Sequence, residues 1–324
     1  MKLKKEYTIL VAVIAALVLY LVLRKSDRTH YRVPNIPTVA AAEISKIELS
    51  KLDTSIVLNK RDNSWYIAPQ GYPANSRTVR DMLAIIGNLT LTALVSESST
   101  YSRYDLTDDK KITVKAWTGE VLRREFEIGK VAPSHRHTFV KLAGDDRVYH
   151  ARDNFRGKFD QTAENLWDRT VLSFERAEIR EIQITKGPQS LLLSRREIPP
   201  EVTADEKTDE GGPPVPKSQT LWETPDGKKG DQSKLNRLLG TLSNLRCQKY
   251  MENRKKGDFT DPLCTLTLRG VQEYTLSLFA KTEKDAENYP AISSQSDFPF
   301  LLTDGQAKDI MKDPDEMLEK PETS

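Results

Sequence analysis

Residues 43–49 read Glu-Ile-Ser-Lys-Ile-Glu-Leu, and residues 178–184 read Glu-Ile-Arg-Glu-Ile-Gln-Ile. Apolar side chains alternate in both stretches, the period-two signature of a strand with one buried face. The same offset of 135 residues carries Ser55-Ile56-Val57-Leu58 onto Ser190-Leu191-Leu192-Leu193. Trp65 corresponds to Trp222 once 22 residues are inserted in the second copy, and residues 198–219 show that insertion as a Pro-, Gly- and acid-rich stretch. Such a composition reads as a solvated loop between two strands. Beyond it, Val79, Met82, Leu83, Ile86 and Leu89 recur as Leu235, Leu238, Leu239, Leu242 and Leu245 at an offset of 156. Spacings of three and four residues put one apolar stripe on each of two helices, to be laid on a sheet. Asn75 and Asp231 stand at equivalent N-cap positions before them.

The agreement continues past the helices. Asp105-Leu106-Thr107-Asp108 matches Asp258-Phe259-Thr260-Asp261, Gly119 matches Gly270 in what read as hairpin turns, and an offset of 151 then holds from Asp146 and Asp297 to Phe159 and Ile310. Matches spread over strands, helix and turns imply duplication followed by divergence. Runs of antiparallel strands with helices packed on one face predict an α+β fold. Two tandem repeats of a mainly antiparallel sheet with packed helices are expected over residues 42–175 and 176–320, with a second helix over about residues 154–168 in the first.

The N-terminus differs from this body. Residues 7–23 read YTILVAVIAALVLYLVL, with no charge and no proline. As a helix the run reaches about 25 Å, the lower end of what spans a bilayer core. A cleaved signal peptide would end at a small-x-small site, whereas Leu21, Val22, Leu23 and Arg24 are bulky and Ala40, Ala41 and Ala42 come too late. A helix apolar on every side, bracketed by Lys2, Lys4, Lys5, Arg24, Lys25 and Arg28, is also an unusual core element. The expectation is a transmembrane helix over 7–23, after a cytoplasmic leader over 1–6 and before a linker over 24–41, with the bilayer as its first partner.

Charge excludes more than it suggests. The 324 residues carry 49 Lys and Arg against 47 Asp and Glu, a formal charge of +2, so no net field draws the chain toward nucleic acid. The basic run Arg254-Lys255-Lys256 lacks interleaved aromatics, which also excludes a nucleic-acid partner.

His135 and His137 form an H-x-H pair, and on a strand two such imidazoles share a face suited to a metal. Here the pair lies beside Pro133 and Arg136 and has no counterpart in the second repeat, so a solvated loop is expected. The two Asp-x-Thr-Asp segments offer too few oxygens, and no bend glycine, for a calcium loop, and read as side-chain turns. Trp65 and Trp222, being equivalent, read as shared core packing. Trp117 and Trp167 have no aromatic equivalents, and either surface or core suits them.

No glycine-rich phosphate loop, G-x-S-x-G elbow or H-E-x-x-H pair occurs in the sequence. The residue pattern therefore designates no catalytic, cofactor-binding or metal-binding residue, and no cofactor. Cys247 follows the second repeat's helix, and Cys264 opens the next strand. Consecutive antiparallel strands would set the two opposite each other, so a disulfide and a pair of buried thiols are both open.

The order of these signals resembles the domain-of-unknown-function 4340 family of bacterial membrane-anchored envelope proteins. The likeness lies in residues 44–49, in Ile56-Val57-Leu58, in Trp65-Tyr66-Ile67-Ala68-Pro69, in the stripe of residues 79–89, in Tyr104-Asp105-Leu106, in Ile128-Gly129 and in Val148-Tyr149. It covers the first repeat well and the second more weakly. Asp105 stands where the family has glycine and Asp109 where it has proline, while the second repeat keeps Pro262 but has Phe279-Ala280 at the Ile-Gly step.

The resemblance implies a bacterial envelope protein with an N-terminal membrane segment, and the short leader before residues 7–23 favours a single-pass inner-membrane placement with the N-terminus cytoplasmic and the body periplasmic. It implies no chemistry. It does imply an accessory or interaction role beside a membrane-protein partner, by analogy a gliding-type ABC transport system. The competing expectation is an envelope protein that binds a glycan, lipid or peptide in the groove between the two repeats.

Overall fold

The computed structural model describes residues 5–23, 31–198, 219–281 and 287–320. Residues 1–4 of the expected leader, 24–30 of the expected linker and 199–218 of the expected insertion lie outside the described residues. The N-terminal helix α1 spans Lys5–Leu23. Among the described residues no helix is long and apolar enough to cross a membrane. A bilayer core requires about 20 apolar residues. This corrects the expected transmembrane helix over 7–23, and with it the single-pass inner-membrane placement.

The chain divides into two compact units, Met1–Leu166 and Trp167–Ser324. In the first unit β1 (Lys46–Lys51), β2 (Thr54–Arg61), β3 (Ser64–Ala68) and β4 (Tyr72–Pro73) form a meander. Helix α2 (Ser76–Gly87) and β5 (Leu91–Ser96) follow, then β6 (Ile112–Thr118), β7 (Val121–Val131), β8 (His137–Leu142) and β9 (Val148–Arg152). The nine strands make one antiparallel sheet in the order β4-β3-β2-β1-β6-β7-β8-β9-β5. The strand after the helix therefore crosses to the far edge, where β5 pairs with β9.

The second unit repeats this connectivity. It opens with β10 (Thr170–Ser173), then β11 (Glu181–Lys186), β12 (Gln189–Ile198) and β13 (Gln219–Glu223). Helix α4 (Gln232–Leu242) comes after α3, a single turn at Arg156–Phe159 in the first unit. It is followed by β14 (Asn244–Arg246), β15 (Lys249–Tyr250), β16 (Cys264–Arg269), β17 (Glu273–Leu278), β18 (Asn288–Ser293), β19 (Phe300–Thr303) and α5 (Asp304–Ile310). The order β13-β12-β11-β16-β17-β18-β19-β15 matches the first sheet from β3 to β5 strand for strand. The architecture is thus mostly antiparallel sheet with few helices.

Each amphipathic helix buries the stripe that its spacing dictates: Val79, Met82, Leu83 and Ile86 on α2, and Leu235, Leu238, Leu239 and Leu242 on α4. Burial of four such side chains contributes roughly 1.5–3 kcal/mol each. The sheets supply the other half of each core, with Ile47, Val114, Phe126 and Ile128 in the first unit and Ile182, Leu266, Leu276 and Leu278 in the second. Trp65 and Trp222 are buried at equivalent places on β3 and β13.

The second helix expected over residues 154–168 is shorter. It comprises α3 and a separate 3-10 turn at Glu164–Leu166. Gly157 and Asp160 are weak helix formers, and Asp160 instead forms an ion pair with Lys51 at 2.6 Å.

Candidate functional site

Strand alternation leaves each sheet with a second face. In the first unit that face carries charge in cross-strand order. Glu48 on β1 is opposite Lys115 on β6, which is opposite Glu125 on β7, and the Lys115–Glu125 ion pair closes at 3.5 Å. One step along, Glu127 binds Lys111 at 2.8 Å and Lys141 at 3.1 Å. Lys46 lies 4.5 Å above the centre of the Trp117 ring, so Trp117 belongs to this face. On the matching face of the second unit Thr265 and Ser277 are 3.1 Å apart, and Arg269 pairs with Glu273 at 2.8 Å and Glu181 at 3.6 Å.

Toward β8 and β9 the same face of the first unit is covered. Leu106, Phe139, Val148 and Ala132 form a small buried cluster, with Tyr101 and Tyr104 packed on it. The Asp-x-Thr-Asp segment supplies this cover as a turn: Asp105 takes a left-handed conformation at φ 53°, and the Thr107 carbonyl accepts from Lys110 and Lys111. Gly129 explains the Ile-Gly step. A Cβ there would stand 2.2 Å from the Tyr104 carbonyl oxygen, so a side chain would push this cover off the sheet.

The two histidines of the H-x-H pair fall on a turn and on a strand. His135 lies in a turn with φ 56°, away from its sequence neighbour. His137 opens β8 and stacks on His150 of β9, with ring centres 5.2 Å apart and planes at 21°. The register pairs Phe139 with His150, which makes His137 the diagonal neighbour of His150. Burial, and secondarily the His137 ring, push the His150 pKa below its ordinary value. Among the described residues no group of three or more His, Cys, Asp or Glu is placed to hold a metal ion.

Asp145, Arg147 and Tyr149 form the tightest polar knot. Arg147 donates through Nε and Nη2 to the Asp145 carboxylate at 2.9 and 2.8 Å, and the Tyr149 hydroxyl donates to it at 2.8 Å. The Arg147 side chain holds the Asp145 carboxyl far below the usual range. Burial, then the hydrogen bond to Asp145, pushes Tyr149 up to about 12. This knot locks the β8–β9 turn and spends its donors internally.

The cysteines are two free, buried thiols. The crossing of the post-helix strand to the far edge is the reason: Gln248, next to Cys247, donates to Leu301 of β19, while Cys264 begins β16, three strands away in the sheet order. Three steps of about 4.8 Å exceed the Cα separation of about 4.4–6.8 Å that a bridge needs. Burial pushes Cys247 up to about 12 and Cys264 up to about 11.

Arg124 drew no attention in the sequence, because Arg123-Arg124-Glu125 reads as a solvated edge. It lies on the core face of β7, in line with Phe126 and Ile128, and is only 6% exposed. Its Nη2 donates to the Pro37 carbonyl. Its Nη1 is buried and, among the described residues, has no hydrogen-bond partner. Burial lowers its pKa. Arg124 is among the residues lining a groove of about 570 Å³ whose apolar wall is Ile36, Pro37, Val39 and Leu142.

The family described as Domain of unknown function (DUF4340) matches residues 65–262, from Trp65 on β3 to the residues just before β16. No curated protein and no solved structure matches the chain.

Proposed function

Because the chain belongs to the DUF4340 family, whose description names no activity, we propose a role from its own surfaces: a non-catalytic interaction module that is accessory to a membrane-embedded transport assembly. The observation that carries this reading is the second face of the first sheet, where Glu48, Lys115 and Glu125 make an ordered, partly exposed charge ladder across three strands. A broad polar sheet face suits a macromolecular partner, whereas small substrates are gripped in concave, largely apolar pockets. Complementary charge on such a face sets partner choice and association rate more than affinity.

The internally paired carboxylates support the same reading. Asp145 is engaged by Arg147 and Tyr149, and Glu127 is held between Lys111 and Lys141. Groups tied pairwise in this way hold the fold. The transport setting rests on the family resemblance alone.

The test is co-purification of the tagged full chain against a variant carrying Glu48→Ala, Lys115→Ala and Glu125→Ala together. Exposed ion pairs of this kind contribute only about 0–1 kcal/mol each, so the variant retains its circular dichroism. Recovery of the transport partner falls at least about tenfold, which corresponds to about 1.4 kcal/mol of association energy. Equal recovery by both proteins contradicts the assignment.

A further inference from the structure

We propose that the groove at Arg124 is a binding site for a carboxylate borne on an apolar group, with the Arg124 guanidinium as its cation. Three observations carry this, and none depends on the partner surface above.

The first is the lack of a counter-ion. A buried guanidinium ordinarily meets a carboxylate, because desolvating it without one is costly. Arg124 has only the Pro37 carbonyl on one nitrogen, and its other terminal nitrogen has no partner among the described residues.

The second is that the fold does not need a cation there. Arg124 is opposite Ala116, which is opposite Ile47. Tyr274 is opposite Leu268, which is opposite Ile182. Ile47 and Ile182 are equivalent repeat positions, so Tyr274 holds in the second unit the place that Arg124 holds in the first. There the site is closed by an aromatic pair, with the Tyr274 ring tilted against Phe174 at 5.3 Å between centres. Phe174 donates to the Ser243 carbonyl as Val39 donates to the Gly87 carbonyl, so the two lead-in segments run alike. One unit fills the position with packed rings; the other places a charge at a groove of ligand size.

The third is the composition of the groove. Glu43 and Glu125 also line it, Glu125 being held by Lys115, so the groove carries no large positive field and suits a single negative charge over a dianion such as phosphate. The wall of Ile36, Pro37, Val39 and Leu142, with Val121 and Leu122 exposed on the same hairpin, suits an apolar body attached to that carboxylate. A fatty acid and the C-terminal residue of a peptide share this chemistry.

The experiment is calorimetric titration of the full chain with hexanoate and with N-acetyl-leucine, against hexanamide and inorganic phosphate at matched ionic strength. Saturable binding of at least one carboxylate, with hexanamide and phosphate weaker by about tenfold or more, is expected from one charge-assisted contact. The tighter of the two carboxylates tells an acyl chain from a peptide terminus. Arg124→Gln keeps a donor for the Pro37 carbonyl and removes the charge, and it weakens carboxylate binding by the same factor. Absence of saturable carboxylate binding, equal binding of hexanamide, or undiminished binding by a folded Arg124→Gln overturns the proposal. The carboxylate-against-amide comparison decides the matter on the unaltered protein if the variant does not fold.

Discussion

Asn75 and Asp231 cap equivalent helices with the same bond: the Asn75 side chain accepts from the Thr78 amide at 3.1 Å, and the Asp231 side chain from the Lys234 amide at 3.1 Å. Replacing either by Ala removes about 1 kcal/mol, read as a shift of the urea midpoint. Only one of the two caps titrates. The Lys234 amide favours ionised Asp231 and lowers its pKa. A lowered carboxyl pKa gives stability that is present above the ordinary value of about 3.9 and is lost as pH falls through it. Asp231→Asn therefore flattens the acid limb of the stability curve, while Asn75→Ala shifts the whole curve without changing its shape.

The stripes above those caps carry more. Leu83→Ala on α2 and Leu239→Ala on α4, both buried, each cost about 2–5 kcal/mol by lost contact and residual cavity. Chemical denaturation checks this, and wild-type stability in either variant would remove that residue from the core.

These helices were legible in the sequence because a stripe and its cap are local: Val79, Met82, Leu83 and Ile86 fall within one span of eight residues. Sheet order is not local. Nothing near Leu91 says that β5 will pair with β9 some sixty residues later, or that β15 will pair with β19. Of the two readings open for Cys247 and Cys264, the bridge requires strands successive in sequence to be neighbours in the sheet, and two buried thiols do not. Nor does the sequence near His137 show that its ring neighbour is His150, across a hairpin. Arg124 was missed because a charged residue between charged neighbours carries no sign of burial. Composition alone reads the apolar N-terminal run as a membrane span, whereas among the described residues no helix is long and apolar enough to cross a membrane.

Acid should act on the first unit through His150. Its pKa is lowered in the folded state, so the unfolded chain takes up a proton that the folded one resists. Stability tied to His150 is complete above about pH 6.5 and is lost as pH falls below it. Proton NMR should place the His150 titration midpoint below that of a free imidazole, and His137→Gln should move it back upward. A midpoint at or above the free value contradicts the stacked pair.

Alkali should act on the second unit through its thiols. Both cysteines are neutral when folded, with pKa values raised to about 12 and about 11. Raised thiol values mean that the unfolded chain loses protons first, so stability declines from about pH 9 upward, by up to about 1.4 kcal/mol per thiol per pH unit. Native protein at pH 8 should resist iodoacetamide, and unfolded, unreduced protein should take two labels. A crosslinked Cys247–Cys264 peptide in mass spectra would overturn the strand order around them.

Lysine-directed crosslinking in intact cells, followed by mass spectrometry, addresses the interaction role most directly. Lys46 and Lys115 stand on the charge-laddered face of the first sheet, whereas Lys158 lies on α3. The proposed role predicts crosslinks from Lys46 or Lys115 to a membrane transport protein and none to that protein from Lys158. Crosslinks to a transport protein through Lys158 alone, or only links within the chain, would contradict it.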